Sequence, residues 1–581
     1  MKNKKVKFVA TLLSAVLLAA VPFGCSPKKE VDEEGKTYLY VQVYDGGYGY
    51  GWVEEAGRRF SETHSDVVIR VSPKTEEGYN VYQNFSLETN DLYFVDGTRN
   101  YYDFVDSDYL VDITDIATGA VEGQNHSIVD TLNEDLRNYY GVKKDDGTHY
   151  YALPWGLGYG GMAYDAELFF NKGLYLTREY DQSGNEGAVD NFVISHNENK
   201  NANGEYASLV TENGQNYYKT VKGEYLSMGP DGTYGTYDDG MPSTYKEFFA
   251  LCRYMNDQEN VKPFVYAQKF ISFYMKLLWR ALEADYAGYD QTLLNYTFDG
   301  VLKNVMSVND AGVITDLPDV TLTPGENSSQ NTAVFQTKSK YYAFDFVKKI
   351  FTDDGEWLGN DCRDGAASHL DAQESFLLTK RDPQGGGAFL IDGIWWEYEA
   401  RDTYADLAKQ YGDAYKQENR MIRQVPLPKA DKDIVNQKRS PMSIDHVYQA
   451  AFILKKDDSS KVELAKEFLK FMMTDESHKA FTVQTGIRRP YAYDLSSEQY
   501  NSLSSYQKSL WDMTAGEKTV AYPVSEAPYF RYRFDYITPI GYASFVDGFE
   551  YNNMVEQLYQ KNQSVKQVFD GLYANVKRMG L

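Results

Sequence analysis

Residues 150–168, YYALPWGLGYGGMAYDAEL, decide how the chain is read. An apolar run ends at Leu153-Pro154, an indole follows at Trp155, and glycines stand at 156, 158, 160 and 161. Gly156-x-Gly158-x-x-Gly161 matches the dinucleotide fingerprint in letters only. That fingerprint needs a strand before it and a helix N-terminus after it, so that pyrophosphate meets backbone N–H groups. Here Pro154 precedes the glycines, and Met162-Ala163-Tyr164 after them reads as extended. The stretch is therefore read as a crossover between two domains, with glycine permitting close backbone approach.

Strand and helix patterns alternate upstream of the crossover. Tyr38 to Tyr44 has strand composition, Asp45 to Gly51 (DGGYGYG) is a glycine-rich loop, and Trp52 to Thr63 reads as a helix. Strands are expected at Val67 to Val71, at Asp91 to Val95 (ending on Asp96-Gly97) and at Tyr109 to Thr114. This order predicts α/β units with a largely parallel sheet. Downstream, Asn171 to Gly223 is polar and weakly periodic and reads as a surface insertion. Thr244-x-x-Glu247 is a capping box ahead of Phe248, Leu251, Cys252 and Met255. Ser460-x-x-Glu463 and Ser564-x-x-Gln567 open two further amphipathic helices. No repeat of 20–50 residues is visible, which sets aside solenoids and propellers.

A length of 581 residues implies two or more domains, and 43% hydrophobic with 25% charged residues excludes a largely disordered chain. The net charge of −25 repels phosphate backbones and anionic surfaces, which argues against nucleic-acid binding. The 51 Tyr suit polar ligands with flat faces. At the N-terminus, Lys2, Lys4, Lys5 and Lys7 precede the apolar run Phe8 to Phe23, closed by Gly24-Cys25. This reads as a signal peptide over 1–24 whose Cys25 is lipidated, with 25–36 as a polar tether. Pro22 stands where a lipobox usually carries an aliphatic residue. No later segment approaches 18 uninterrupted apolar residues. Cys252 and Cys362 are then either one disulfide or two buried thiols.

No catalytic constellation emerges. The seven His are isolated, and HExxH, GxSxG and P-loop patterns are absent. The turn Asp231 to Gly240 (DGTYGTYDDG) interleaves Asp231, Asp238 and Asp239 with Gly and Thr, a composition that could wrap Ca²⁺ or could be a solvated turn. Aromatics beside glycines are the strongest binding signal: Tyr48, Tyr50, Trp155, Trp395 and Trp396. An indole or phenol on a loop can lie on the apolar face of a sugar ring, or can equally be packing.

Four stretches together resemble the family 1 extracellular solute-binding proteins of ABC importers, the carbohydrate-type lipoproteins. They are YALPW (151–155) with GGMAYDAELFFNKGL, PSTYKEF (242–248), AFLIDGIWW (388–396), and AKEFLKF (465–471) with Thr485-Gly486 and Pro490 downstream. The resemblance covers about residues 38–578; the 171–223 insertion and the stretch near 302–332 exceed it. It implies two α/β lobes of the periplasmic-binding-protein (Venus flytrap) type, with crossing hinge strands and a ligand cleft between them. Lobe one would be 37–158 plus 440–490, and lobe two 159–439 plus 491–581. It implies a monomeric, non-enzymatic receptor that delivers a carbohydrate, expected to be an oligosaccharide, to membrane permease subunits. Trp395 would stack on the sugar, with Trp155, Trp396, Tyr48, Tyr50, Asp96, Asp392, Asp445 and Arg531 as further contacts. The rival expectations are a surface glycan hydrolase, or the same fold binding a peptide or another solute.

Overall fold

The computed structural model describes residues 35–75, 85–96, 101–121, 123–178, 194–195, 205–324, 330–351, 355–435, 442–444, 449–514, 519–521, 545–547, 550–552 and 556–578. The strands that frame the molecule are β1 (Thr37–Tyr44), β2 (Val67–Lys74), β3 (Leu92–Val95), β4 (Leu153–Pro154) and β5 (Gly160–Asp165). They continue with β6 (Ala207–Glu212), β7 (Gln215–Thr220), β8 (Phe264–Val265), β9 (Phe389–Gly393), β10 (Ile422–Gln424) and β11 (Ala450–Ile453).

Two sheets result. The first has the order β2-β1-β3-β11-β4 and the second β8-β9-β5-β10. In the first, β1 pairs in parallel with β2 and β3, and Leu39, Val41 and Val43 are wholly buried. The helix Gly51–Thr63 turns Trp52, Val53, Ala56 and Phe60 inward at helical spacing, while Arg58 pairs with Glu55 and Glu62 on the solvent side. In the second sheet every residue of β5 and β9 is buried. The helix Ile271–Ala287 lies directly on β5: a Cβ at Gly160 would stand 2.2 Å from that of Leu277. Buried ion pairs brace this half, Arg420 with Asp165 at 2.8 Å and Lys429 with Asp285 at 2.5 Å.

Among the described residues the chain passes between the sheets at Trp155 to Tyr159, between β4 and β5, and at Ile487 to Tyr493 on the way to the helix Ser505–Met513, which seats on β10; β10 and β11 themselves lie in different sheets. The sheets are consequently mixed rather than largely parallel. β11 returns from the second sheet and enters the first from the crossing end, so it runs antiparallel to β3 and β4. β5 is likewise antiparallel to both its neighbours.

Three local expectations change. Tyr109 to Thr114 is not a strand: only Leu110 bridges, to Leu454, and the Asp112 carboxylate accepts the Thr114 N–H at 2.9 Å, turning the chain into a short helix. The helix Ser459–Met472 is capped by Asp458, whose carboxylate accepts from the N–H groups of Ser460 and Lys461, and not by Ser460. Within 171–223 the described part contains the β6–β7 hairpin. The Thr244–Glu247 capping box and the Ser564–Gln567 pair form as read. Cys252 and Cys362 are separate buried thiols. No helix among the described residues is long and apolar enough to cross a membrane.

Candidate ligand cleft

The loop after β1 leaves the first sheet and meets the end of β9 from the second. Tyr48 sits at the meeting point. Its ring lies 5.6 Å from Trp155, edge-on at 82°, and 6.0 Å from Trp395, tilted at 46°. Its hydroxyl donates to the Leu157 carbonyl inside the crossover. Burial raises the Tyr48 phenol far above its ordinary value, and the charges of Asp96 and Glu399 push the same way.

Trp395 joins this cluster from the second-sheet side, next to Phe273 at 6.5 Å, and is 7% exposed. Trp155 is fully enclosed, stacked on Trp52 at 5.3 Å with its indole N–H donated to the Val95 carbonyl at 2.9 Å. Trp396 is also enclosed, edge-on to Phe376 and Tyr506 within the second-sheet half. Adjacent in sequence, Trp395 and Trp396 therefore serve different places: one at the junction of the sheets, one in a core. Tyr50 is half-buried against the first-sheet core. Asp96 closes β3 beside Tyr48.

Beneath Trp395, Asp392 ends up in a buried carboxylate pair. The Gln373 side-chain amide donates to Asp392 at 3.2 Å and to Glu399 at 3.0 Å. Burial raises both carboxyls well above the usual range, and for Glu399 the neighbouring Asp392 adds to it, so the pair holds protons near neutrality. Behind the crossover lies a cavity of about 290 Å³ walled by Leu157, Tyr159, Ile394 and Trp511, with the Arg488 guanidinium 3.4 Å from the Trp511 ring centroid. Arg489 is buried between Trp52 and Phe481, 4.8 and 4.4 Å from their centroids, and burial lowers it to about 10.

This molecule compares with solved structures over nearly its whole length. RafE in complex with raffinose superposes with a TM-score of 0.51 at 11% identity, covering 94% of this chain and 100% of RafE. The fold is that of the two-lobed solute-binding proteins. The cyclic alpha-maltosyl-1,6-maltose binding protein from Arthrobacter globiformis follows at TM-score 0.48 and 12% identity, over 94% of this chain and 99% of its own. Maltose-bound MalE3 from T. maritima also stands at 0.48, with 10% identity, over 93% and 99%. No protein-family model and no curated protein sequence matches the chain.

Of the sequence-derived candidates, Tyr48, Trp155, Trp395 and Asp96 gather at the lobe junction, and Asp392 lies just below it. Cys25, Asp445 and Arg531 fall outside the described residues. The Asp231–Gly240 turn uses its carboxylates on its own chain. Asp238 accepts the Asp231 N–H at 2.7 Å, and Asp239 accepts those of Gly235 and Thr236 at 2.8 and 3.0 Å. Burial raises Asp238 to about 8 and Asp239 to about 6. Among the described residues no group of three or more His, Cys, Asp or Glu could hold a metal ion. Sequence reading missed Trp52, Phe273, Gln373, Glu399, Phe481 and Arg489. Trp52 and Glu399 stand within a turn of Tyr48 and Trp395, and long-range packing brings the other four to the junction.

Proposed function

We propose that this protein is a carbohydrate receptor of an ABC importer, lipid-anchored through Cys25 on the outer face of a bacterial cell membrane. It captures a sugar, an oligosaccharide, and delivers it to the permease as a monomer, without breaking a bond. One observation carries the reading: Tyr48 from a first-sheet loop and Trp395 from the end of a second-sheet strand meet at 6.0 Å where the chain crosses between lobes. A ligand inserted there is held by aromatic faces from both halves, so it favours closure by its differential affinity for the closed state. Asp96 and Asp392 supply acceptors for sugar hydroxyls, and an unpaired buried polar group costs about 1–3 kcal/mol, which sets specificity. We place the lobes at 37–158 plus 440–490 and 159–439 plus 491–581; the membership of 37–44, 92–95, 153–154 and 450–453 in one sheet and of 160–165, 389–393 and 422–424 in the other supports this division, whereas 442–444, paired with 519–521, does not.

The test is a thermal-shift screen of the protein against mono- and oligosaccharides, with peptides as the contrasting panel. A ligand at 100 times its Kd adds about 2.7 kcal/mol of native-state stability. A shift with peptides and none with saccharides would replace the carbohydrate by another solute. Turnover of a saccharide would make the protein a hydrolase.

A further inference from the structure

A second cavity lies beside the aromatic junction. It has a volume of about 1010 Å³, at the top of the range of about 300–1,000 Å³ for small-molecule sites. One wall includes Tyr218 of β7, from the 171–223 segment that exceeds the resembled family, and Tyr237 of the Asp231–Gly240 turn. The opposite wall carries Tyr500 and Asp512, and β10 contributes Arg423.

The chemistry of these walls is specific. Tyr218, Tyr237, Tyr398 and Tyr500 all line the cavity and are half-buried, so each ring keeps part of its surface for a ligand. Between them stand fixed polar groups of both signs. The Tyr500 hydroxyl donates to Asp512 at 2.8 Å, and burial raises the Asp512 carboxyl. Arg423 is surrounded by the phenols of Tyr164, Tyr175 and Tyr218, with Asp512 close enough to feel its charge. Phenol faces alternating with single donors and acceptors of opposite sign suit a neutral polyhydroxylated molecule. A purely apolar ligand would leave the polar groups unpaired, and the lining carries four carboxylates (Glu205, Asp239, Glu418, Asp512) against four cations (Arg401, Arg420, Arg423, Lys508), a balance that favours a ligand without net charge.

The cavity also reaches the lobe junction. Tyr398 is one helical turn beyond Trp395, its N–H donated to the Trp395 carbonyl at 3.1 Å. Gln484, from the first-sheet half, lines the same cavity and lies against Gly51. We propose that this cavity is a second carbohydrate surface, which takes the outer units of an oligosaccharide whose inner units occupy the Tyr48–Trp395 junction. The proposal rests on the carbohydrate reading of that junction and adds a length-dependent specificity to it.

Calorimetric titration of the protein tests it, with maltose to maltohexaose and melibiose, raffinose and stachyose as probes. Affinity is expected to rise with chain length in at least one series. Tyr500→Ala and Tyr218→Ala are expected to weaken the longest members about 5- to 150-fold, the range of one lost stacking face, and to leave the disaccharide within twofold. Tyr500→Phe keeps the ring and is expected to keep most of the gain. Should either alanine variant melt low, Tyr237→Ala, placed in a turn, gives the same reading. Long saccharides that bind these folded variants as tightly as the unchanged protein overturn the second surface and leave the junction reading intact. If no saccharide of either series binds the unchanged protein, both readings fall.

Discussion

A Cβ on Gly47 would stand 2.2 Å from Cδ1 of Trp395 and 2.9 Å from its Cβ. The first-sheet loop thus closes on the second-sheet indole at a point where no side chain fits. The obstruction faces the root of the indole rather than the end of a flexible chain, so it yields only by backbone movement or by opening of the lobes.

Gly47→Ala is accordingly expected to leave the melting temperature of the ligand-free protein near its original value while disfavouring closure. Small-angle scattering would show a larger radius of gyration at saturating ligand, with affinity reduced at least tenfold. An unchanged closed-state radius and affinity would mean that the loop and Trp395 do not need this contact.

Trp395 and Trp155 are expected to separate into binding and folding roles. Trp395→Ala removes a face at the junction, costing about 1–3 kcal/mol of ligand affinity by analogy with base–aromatic stacking and little stability. Trp155→Ala empties a site stacked on Trp52 and bonded to Val95, and is expected to cost about 3–5 kcal/mol of folding free energy. Paired urea denaturation and titration measure both. A Trp395→Ala protein that melts far lower yet binds normally while folded would make that indole packing.

The pH dependence of stability has a determined sign at Glu397. Burial pushes this carboxyl up to about 7, although the Ser504 hydroxyl donates to it at 2.7 Å. Its folded-state pKa lies above the unfolded value of about 4.3, so its contribution is fully present below about pH 4 and is lost as pH rises through 7. Asp392 and Glu399 act in the same direction. Glu397→Gln is expected to make the fall in unfolding free energy between pH 5 and pH 8, measured by urea denaturation, shallower by on the order of 1–3 kcal/mol. Parallel profiles for the two proteins would remove Glu397 as a source of the slope.

Cys25 is expected to carry the anchor. A single acyl chain holds a protein to a membrane marginally, and two hold it firmly. Cys25→Ser should leave the precursor unprocessed or release the protein to the medium, read by fractionation and intact mass. A processed variant that still pellets with membranes would exclude the lipid at this position.

Local structure was legible wherever neighbouring residues determine it. The strand composition of β1, the apolar stripe of Gly51–Thr63 and the Thr244–Glu247 box are short-range patterns, and each formed within a residue or two of its reading. The crossover was legible because Pro154 and the glycines after it exclude a helix there. Strand direction was not. β11 is antiparallel because its chain arrives from the other lobe, a fact of topology that no local pattern encodes. The same limit divides the aromatics. Trp395 and Trp396 share a sequence context, yet one faces Tyr48 across the lobes and the other packs on Phe376 and Tyr506. Composition and periodicity specify which residues must leave water. Which partner each then meets, as Trp395 meets Tyr48 from far along the chain, is decided only when the two sheets are brought face to face.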